Sequence, residues 1–359
     1  MDSRIFYKEC RSLVKAGYDV TLIANHNKKE EVIGGVKIIS FPLFKNRLTR
    51  MLFSPLRMFF LARKQEAAIY HFHDPELVIT GLLLKCSGAK VIFDVHEDIV
   101  KQIKIKKFLL FSSLLSRLFV PLNYLSAKCF HLVLAEHSYE KIYKKHTRRY
   151  RIVLNMPDIG FFEPYSVTGR SDCRGIFYIG RVTKLRGIDV MVRALHILKK
   201  KKIDVTMHVV GYIDPALKEE LENLDYFAEI EENIIFYGKR TLEEGYEIAK
   251  KCFAGLSVLK PVENYLHSYS TKVFEYMAVS LPVITSDFPL YKDVVEVHGC
   301  GFCIDPGDPD VLANSIIDLL TNKDKAGEMG LKGREAAIKE FNWEKEEKKL
   351  LEMYQARRA

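Results

Sequence analysis

The chain lacks any uninterrupted apolar run of membrane-spanning length. Its most apolar stretch, FLLFSSLLSRLFVPLNYL from Phe108, is broken by Arg117 and Pro121, whereas a span needs about 20 apolar residues in succession. It shows no signal peptide, so a cytoplasmic location is expected. Cysteine is sparse, with seven scattered through 359 residues. That excludes the dense disulfide framework of small secreted domains and fits a reducing compartment. Cys300 and Cys303 form one Cys-x-x-Cys with His298 nearby, but no second pair joins them, so zinc or redox chemistry is not expected. Acidic residues also gather without metal-ligand spacing, since DPGDPD (Asp305–Asp310) reads as a loop leading into a helix cap. No metal and no cofactor are expected. Tryptophan occurs once, at Trp343.

What is present is an ordinary globular composition, 48% apolar and 28% charged, in a chain long enough for roughly two domains. The charge is uneven. Residues 1–160 carry 27 Lys and Arg against 14 Asp and Glu, and the remainder carries 28 against 32. A basic first half implies a polyanion or an anionic membrane as its neighbour. The segment KQIKIKK, with Lys101, Lys104, Lys106 and Lys107, runs into the apolar stretch just described. Such a pattern can lie in the headgroup region of anionic lipid or form a buried helix with a solvated lysine run. Peripheral attachment to the inner face of the plasma membrane is the expectation, and nucleic acid is not expected as a partner.

Short apolar runs alternate with helix-length segments. DVTLIA (Asp19–Ala24), VKIISF (Val36–Phe41), AAIYHFH (Ala67–His73), KVIFDVH (Lys90–His96) and HLVLAE (His131–Glu136) are continuous rather than alternating, as parallel strands buried on both faces should be. Between them, Arg4–Gly17 and Pro75–Lys85 read as helices. The rhythm pauses at residues 156–172, where Pro157, Gly160, Pro164 and Gly169 interrupt regular structure. It resumes with GIFYIG, DVTMHVVG (Asp204–Gly211), NIIFYG (Asn233–Gly238), AGLSVL (Ala254–Leu259) and LPVITSD (Leu281–Asp287). An α/β fold of two Rossmann-like domains follows: residues 1–155, a linker at 156–172 and residues 173–340, with a terminal helix at 341–359 packing back on the first domain. The beginning, MDSRIFYKEC, enters a helix almost directly. Either the first domain lacks its opening strand, which would bare two neighbouring strand edges, or the start of the chain is cut short.

In doubly wound sheets ligands sit beyond the carboxyl ends of the strands. After GIFYIG come Gly180, Arg181 and Arg186, and then a helix following Gly187. Two cations beside a helix start suit an anion, although two solvated arginines would read the same way. Gly211 and Gly238 end the next two strands. Ser270 and Thr271 are good caps for a helix carrying Lys272 and Glu275. A carboxylate one turn inside such a helix can accept two hydrogen bonds from a vicinal diol while the helix start holds a phosphate. In the first domain His96 ends a strand beside Asp94, Glu97 and Asp98, and His71 and His73 end another beside Asp74.

The motifs YIGRVTKLRGIDVMVRAL, TKVFEYMAVSLPVITSD, GFCIDPGDPDVLANSIIDLL and FNWEKEEKKLLEMY resemble the nucleotide-binding half of the family 4 retaining glycosyltransferases, which have the GT-B fold. HFHDPELVITGLLLK and VIFDVHED resemble the acceptor half of members that build bacterial surface polysaccharides. The resemblance implies parallel sheets facing across a cleft, a nucleoside-diphosphate sugar as donor, and a glycan acceptor carried on a polyprenyl diphosphate. It also implies residue roles: Arg181 and Arg186 on the donor diphosphate, Glu275 on the donor ribose, His267 beside the donor sugar and His96 facing the donor. Gly180, Gly211, Gly238, Ser270, Thr271 and Lys272 would line the donor site, and His73, Asp74 and Glu97 the acceptor side. This sequence departs from the family pattern at Arg186, where lysine is usual, at His267, where a carboxylate is usual, and at Ser280, where glycine is common. A nucleotide-sugar epimerase and a non-catalytic scaffold are the alternatives.

Overall fold

A computed structural model describes residues 2–41, 47–96, 121, 124–170 and 172–357. The chain forms two compact units, one of Met1–Asn155 with Trp343–Ala359 and the other of Met156–Asn342. Among the described residues no helix is long and apolar enough to cross a membrane. The basic segment at 101–107 and most of the apolar stretch after it lie outside the described residues, as do Glu97 and Asp98.

Unit 1 holds β1 (Val20–Ala24), β2 (Glu30–Ile33), β3 (Val36–Ser40), β4 (Ile69–Phe72), β5 (Lys90–Val95), β6 (His131–Leu134) and β7 (Tyr150–Ile152). They form two sheets, in the orders β1-β3-β2 and β4-β5-β6-β7. The second is parallel throughout. Its strands are covered on both faces, as their continuous apolar runs require. Val91, Phe93, Val95, Leu132 and Leu134 enter one core, while Ile92 and Val133 enter another with Leu13, Trp343, Leu350 and Tyr354. The helix Trp343–Gln355 thus closes the sheet face, with Trp343 Nε1 donating to Ser12 Oγ at 2.9 Å.

Sequence reading missed β2. Its composition, EEVI, is half charged, and it pairs antiparallel with β3 as an edge, where only alternate residues are covered. The two sheets of unit 1 are separate, one with β1 and β2 as its edges and the other with β4 and β7.

Unit 2 has a single parallel sheet of β8 (Gly175–Ile179), β9 (Thr206–Val210), β10 (Ile234–Gly238), β11 (Cys252–Ser257), β12 (Val283–Ser286) and β13 (Gly301–Ile304), in the order β10-β9-β8-β11-β12-β13. The chain runs outward in one direction from β8 and in the other from β11. That makes the β8/β11 boundary the topological switch point. The helix Ile188–Lys200 shows why these segments take their places. Ile188, Met191, Val192, Leu195 and Leu198 recur at helical spacing and are all buried, each burial worth roughly 1.5–3 kcal/mol, while Lys199 and Lys200 complement its C-terminal end.

Residues 156–170 fall within the second compact unit. They carry the short helix Ile159–Phe162, and the buried Phe162 ring meets Tyr246 edge-on at 4.8 Å. Arg170 adds two guanidinium hydrogen bonds of 2.7 Å to the carbonyls of Ala249 and Cys252 and one of 2.8 Å to Val279. Proline and glycine in this stretch break long elements without preventing packing. Cys300 and Cys303 flank the start of β13, and burial pushes both thiols up to about 12, which keeps them protonated and unreactive.

Candidate functional site

In unit 2, Gly180, Arg186, Lys272 and Glu275 gather at the switch point. β8 ends into Gly180, whose φ of +128° only glycine adopts readily. Gly211, at the end of β9, has φ +143°, and a β-carbon there would stand 1.8 Å from the carbonyl oxygen of Gly180. Its N–H donates to Gly238 O at 2.8 Å. The three strand ends are therefore packed backbone to backbone.

Two cations stand over this floor. A methyl group at Gly180 would lie 3.2 Å from Arg186 Nη1 and 3.7 Å from Lys272 Nζ. Arg186 is half-buried. Burial works against its charge, but hydrogen bonding to Tyr265 and the neighbouring Tyr178 outweigh it and hold the guanidinium above its ordinary value. Lys272 is 5% exposed, sits 4.2 Å from the Tyr178 ring centre, and its Nζ has no hydrogen-bond partner. Burial, then the charge of Arg186, pulls its ammonium down to about 7. An unpartnered cation in such a place is costly unless an anion arrives.

Lys272 belongs to the first turn of the helix Thr271–Ala278, which follows β11 and supplies free N–H groups and a positive dipole end. Ser270 is its N-cap by position but makes no side-chain cap. Its N–H instead donates to Tyr291 Oη at 2.9 Å and its hydroxyl meets Ser257 Oγ at 3.4 Å. The expected capping role of Ser270 therefore gives way to anchoring of the loop. Glu275, one turn further, is half-buried and accepts from Tyr246 Oη at 2.6 Å. That bond fixes the carboxylate and leaves its other oxygen for a ligand. Arg181 and His267 are exposed. The sequence did not reveal Tyr178, Tyr246 and Tyr265, which hold the charged groups. Their sole signal is the aromatic content of the strands and helices around the motif.

Unit 1 presents a second polar cluster at the ends of β4 and β5. Asp94 lies on β5 and is fully buried, and Arg4 and Glu9, both on the helix Ser3–Cys10, are 5% and 1% exposed. Arg4 Nε donates to Asp94 Oδ2 at 3.0 Å and pairs with Glu9 Oε1 at 2.9 Å. His73 follows β4, with Nδ1 at 3.4 Å from Asp94 Oδ2 and Nε2 at 3.6 Å from Glu9 Oε2. His71 stacks on it at 4.6 Å and meets Tyr354 Oη through Nδ1 at 2.9 Å. His96 stands on the other side, its ring centre 6.1 Å from that of His73.

Burial would raise Asp94, but Arg4 and then His73 hold it well below the carboxylate range. Glu9 goes the other way, pushed up to about 8 by burial and by Asp94. Glu9, His71, His73 and Asp94 bring four ligand-type atoms within 4.8 Å of one another. The Arg4 guanidinium lies across both carboxylates and already supplies the positive charge a cation would bring. Asp74 is exposed.

The description of the Glycosyl transferases group 1 family matches residues 169–336, and that of Glycosyltransferase Family 4 matches residues 3–143. Spore coat protein SA of Bacillus subtilis is 25% identical over 191 residues, 51% of this chain and 49% of that protein. The poly(ribitol-phosphate) alpha-N-acetylglucosaminyltransferase of Staphylococcus aureus is 22% identical over 178 residues, 49% of this chain and 34% of that protein. The chain thus spans half or less of the length of these relatives. Among solved structures, a sucrose-phosphate synthase from Thermosynechococcus elongatus superposes with a TM-score of 0.77 at 17% identity, covering 99% of this chain and 93% of that one. Anabaena HepE in complex with UDP does so with a TM-score of 0.67 at 13% identity, covering 94% and 100%. With a family 4 domain over unit 1, a group 1 domain over unit 2 and GT-B structures as its neighbours, the chain belongs to the family 4, group 1 glycosyltransferases.

Proposed function

We propose that unit 2 holds the diphosphate of a nucleoside-diphosphate sugar, and that the chain transfers the sugar, with retention at the anomeric carbon, to a hydroxyl of a glycan acceptor. The observation that carries this reading is the convergence of Arg186 Nη1 and the unpartnered Lys272 Nζ on the Gly180 floor at the start of the helix Thr271–Ala278. Charge accumulates on the departing diphosphate as the glycosidic bond breaks. Fixed cations and helix N–H groups aimed at that charge lower the barrier, and removing one such donor typically costs roughly 3–4 kcal/mol.

Arg186 and Arg181 bind and stabilise the leaving diphosphate together with Ser270, Thr271 and Lys272, a task that divalent metals perform elsewhere. Glu275, with one oxygen held by Tyr246, takes the ribose diol. His267 contacts the donor sugar, and Gly180, Gly211 and Gly238 let the phosphates approach the backbone. In unit 1, His96 is assigned a catalytic role, and His73, Asp74 and Glu97 are assigned to the acceptor. HepE is a neighbour seen with UDP, which supports a nucleoside-diphosphate donor, and the Staphylococcus relative is named for glycosyl transfer to poly(ribitol-phosphate). The latter supports a polymeric acceptor in bacterial surface polysaccharide synthesis. The basic first half of the chain suits a polyprenyl-diphosphate-linked acceptor at an anionic membrane.

Calorimetric titration with UDP, GDP, ADP and dTDP tests the donor site. One diphosphate should saturate it, and Lys272→Met and Arg186→Ala should each weaken binding roughly 10- to 100-fold, the worth of a charge-assisted hydrogen bond. Since free Lys272 titrates at about 7 and the bound diphosphate needs the ammonium, binding at about pH 8 should take up a proton. Heats measured in two buffers of different ionisation enthalpy would show it. Undiminished binding in both variants would overturn the assignment.

A further inference from the structure

The bond that fixes Glu275 depends on two helices of unit 2 keeping their spacing. Tyr246 lies in the helix Leu242–Ala249 and Glu275 in the helix Thr271–Ala278, and Tyr246 Oη donates to Glu275 Oε2 at 2.6 Å. One turn further along each helix, backbone carbonyls meet a single guanidinium. Arg170 Nη1 donates to Ala249 O and to Cys252 O, both at 2.7 Å, and Nη2 donates to Val279 O at 2.8 Å. Ala249 is the last residue of the first helix and Val279 is the C-cap of the second. Carbonyls at such ends have no partner within their own helix, and a cation suits them. The Tyr246–Glu275 bond and the Arg170 bridge therefore join the same two helices, one turn apart.

We propose that Arg170 is a positioning residue of the donor site: its guanidinium sets the spacing of these two helices and thereby aims the Glu275 carboxylate. The proposal rests on the reading of Glu275 as the group that takes the ribose diol. Arg170 forms no ion pair among the described residues, so its charge faces carbonyl dipoles alone. Burial pulls it down to about 10, which leaves it charged at neutral pH. The three acceptors lie at two ends of a planar, rigid fork, a reach that the single nitrogen of a lysine lacks.

The stretch that brings Arg170 also packs Tyr246. Its Phe162 ring meets the fully buried Tyr246 ring edge-on at 4.8 Å, and Tyr165 lies 6.4 Å away. The ring of Tyr246 and the ends of both helices are thus held by one segment of chain. A second arginine shows what simple capping looks like. Arg334 Nη1 donates to Ala278 O at the end of the helix Thr271–Ala278, while its Nη2 pairs with Glu163. Among the described residues it reaches no carbonyl of the helix Leu242–Ala249. Arg334 caps one helix, whereas Arg170 ties two.

Arg170→Lys keeps a cation in place but cannot span both helix ends. Carbon-13 spectra of the tyrosine rings in the ligand-free full chain, with the Tyr246 signal identified by Tyr246→Phe, read the bond directly. In Arg170→Lys that signal should move toward the position it takes in Glu275→Ala, where the acceptor is gone. Arg334→Lys loosens the cap of one helix and should leave the signal in place. An unmoved signal in Arg170→Lys, or the same displacement in Arg334→Lys, would overturn the proposal. Titration with inorganic diphosphate and with UDP, GDP, ADP and dTDP gives a second readout. Arg170→Lys should weaken the nucleoside diphosphate that binds about 10-fold, roughly the worth of one hydrogen bond, and inorganic diphosphate, which has no ribose, less than about 2-fold. Added to Tyr246→Phe, it should weaken the nucleoside diphosphate less than about 2-fold more, because both changes act on one carboxylate. Equal losses for the two kinds of probe, or independent losses in the double variant, would also overturn it. A wild-type chain that binds no diphosphate while the Tyr246 signal moves as expected would count against the proposed function alone.

Discussion

Lys272 of unit 2 and Arg4 of unit 1 are equally buried, at 5% exposure, and both lie near the carboxyl ends of parallel strands. Their surroundings differ in one respect. Arg4 rests on Asp94 and Glu9, which were buried with it, whereas Lys272 has an aromatic face, another cation and no partner for its Nζ. A buried charge with its counter-charge built in is structural, and one without it is a vacancy for a ligand of opposite sign. The first arrangement stiffens a domain, and the second makes a domain weaker when empty and tighter when bound.

Substitution should expose this contrast most strongly in stability. Trp343 is the sole tryptophan and belongs to unit 1, so its fluorescence in urea reports that unit. Arg4→Met leaves Asp94 and Glu9 uncompensated and is expected to cost unit 1 about 3–5 kcal/mol. Lys272→Met should stabilise unit 2 by roughly 1 kcal/mol or more by removing an unpaired buried cation, seen as a rise in the calorimetric transition that Trp343 does not follow. Equal destabilisation by both variants would end the distinction between the two clusters.

The two units should also respond to pH in opposite senses. Between 4.5 and about 8 the folded unit 1 keeps a proton on Glu9 that the unfolded chain has released, so its stability falls as pH rises. His73, also raised, adds in the same direction, its contribution being lost as pH rises through the folded value. For Lys272 the window lies between about 7 and 10.5, where the unfolded chain holds a proton that folded unit 2 has lost, so stability there rises with pH. Scanning calorimetry between about pH 7 and about pH 8 should move the Trp343-linked transition down and the other up. Parallel movement of both would remove the electrostatic basis of the contrast.

The smallest effect is expected at Ser280, a non-glycine residue at φ +58°. Ser280→Gly should relieve about 1–2 kcal/mol of left-handed strain and lose one hydrogen bond to Ser166 Oγ, 2.9 Å in length and worth about 1 kcal/mol. The net change in the melting of unit 2 should stay within about 1 kcal/mol, with nucleotide affinity unchanged. A loss of several kcal/mol would mean that the Ser166 contact anchors residues 156–172 to unit 2.

Much of the unit 2 cluster was legible in the chain itself. Gly180, Arg186, Lys272 and Glu275 sit within a few residues of strand ends and helix starts, so periodicity and capping chemistry place them. Asp94 and His73 were legible as polar residues at strand ends but not in their partnership. Arg4 and Glu9 are 90 and 85 positions from Asp94, and no local pattern pairs residues at that separation. The same applies to Tyr246, 29 positions before Glu275, and to residues 156–172, whose Pro and Gly content conceals the packing of Phe162.

The amino-acid sequence by itself determined the α/β alternation, the parallel strands of both units and the motif that identifies the family, because propensity, burial periodicity and turn chemistry act over short distances. The tertiary structure alone decided which charges meet. Lys272 is left without a counter-charge and Arg4 is given two because folding excludes water from both while carrying carboxylates only to the second. The energy of a buried charge depends on that pairing and not on the residue that bears it.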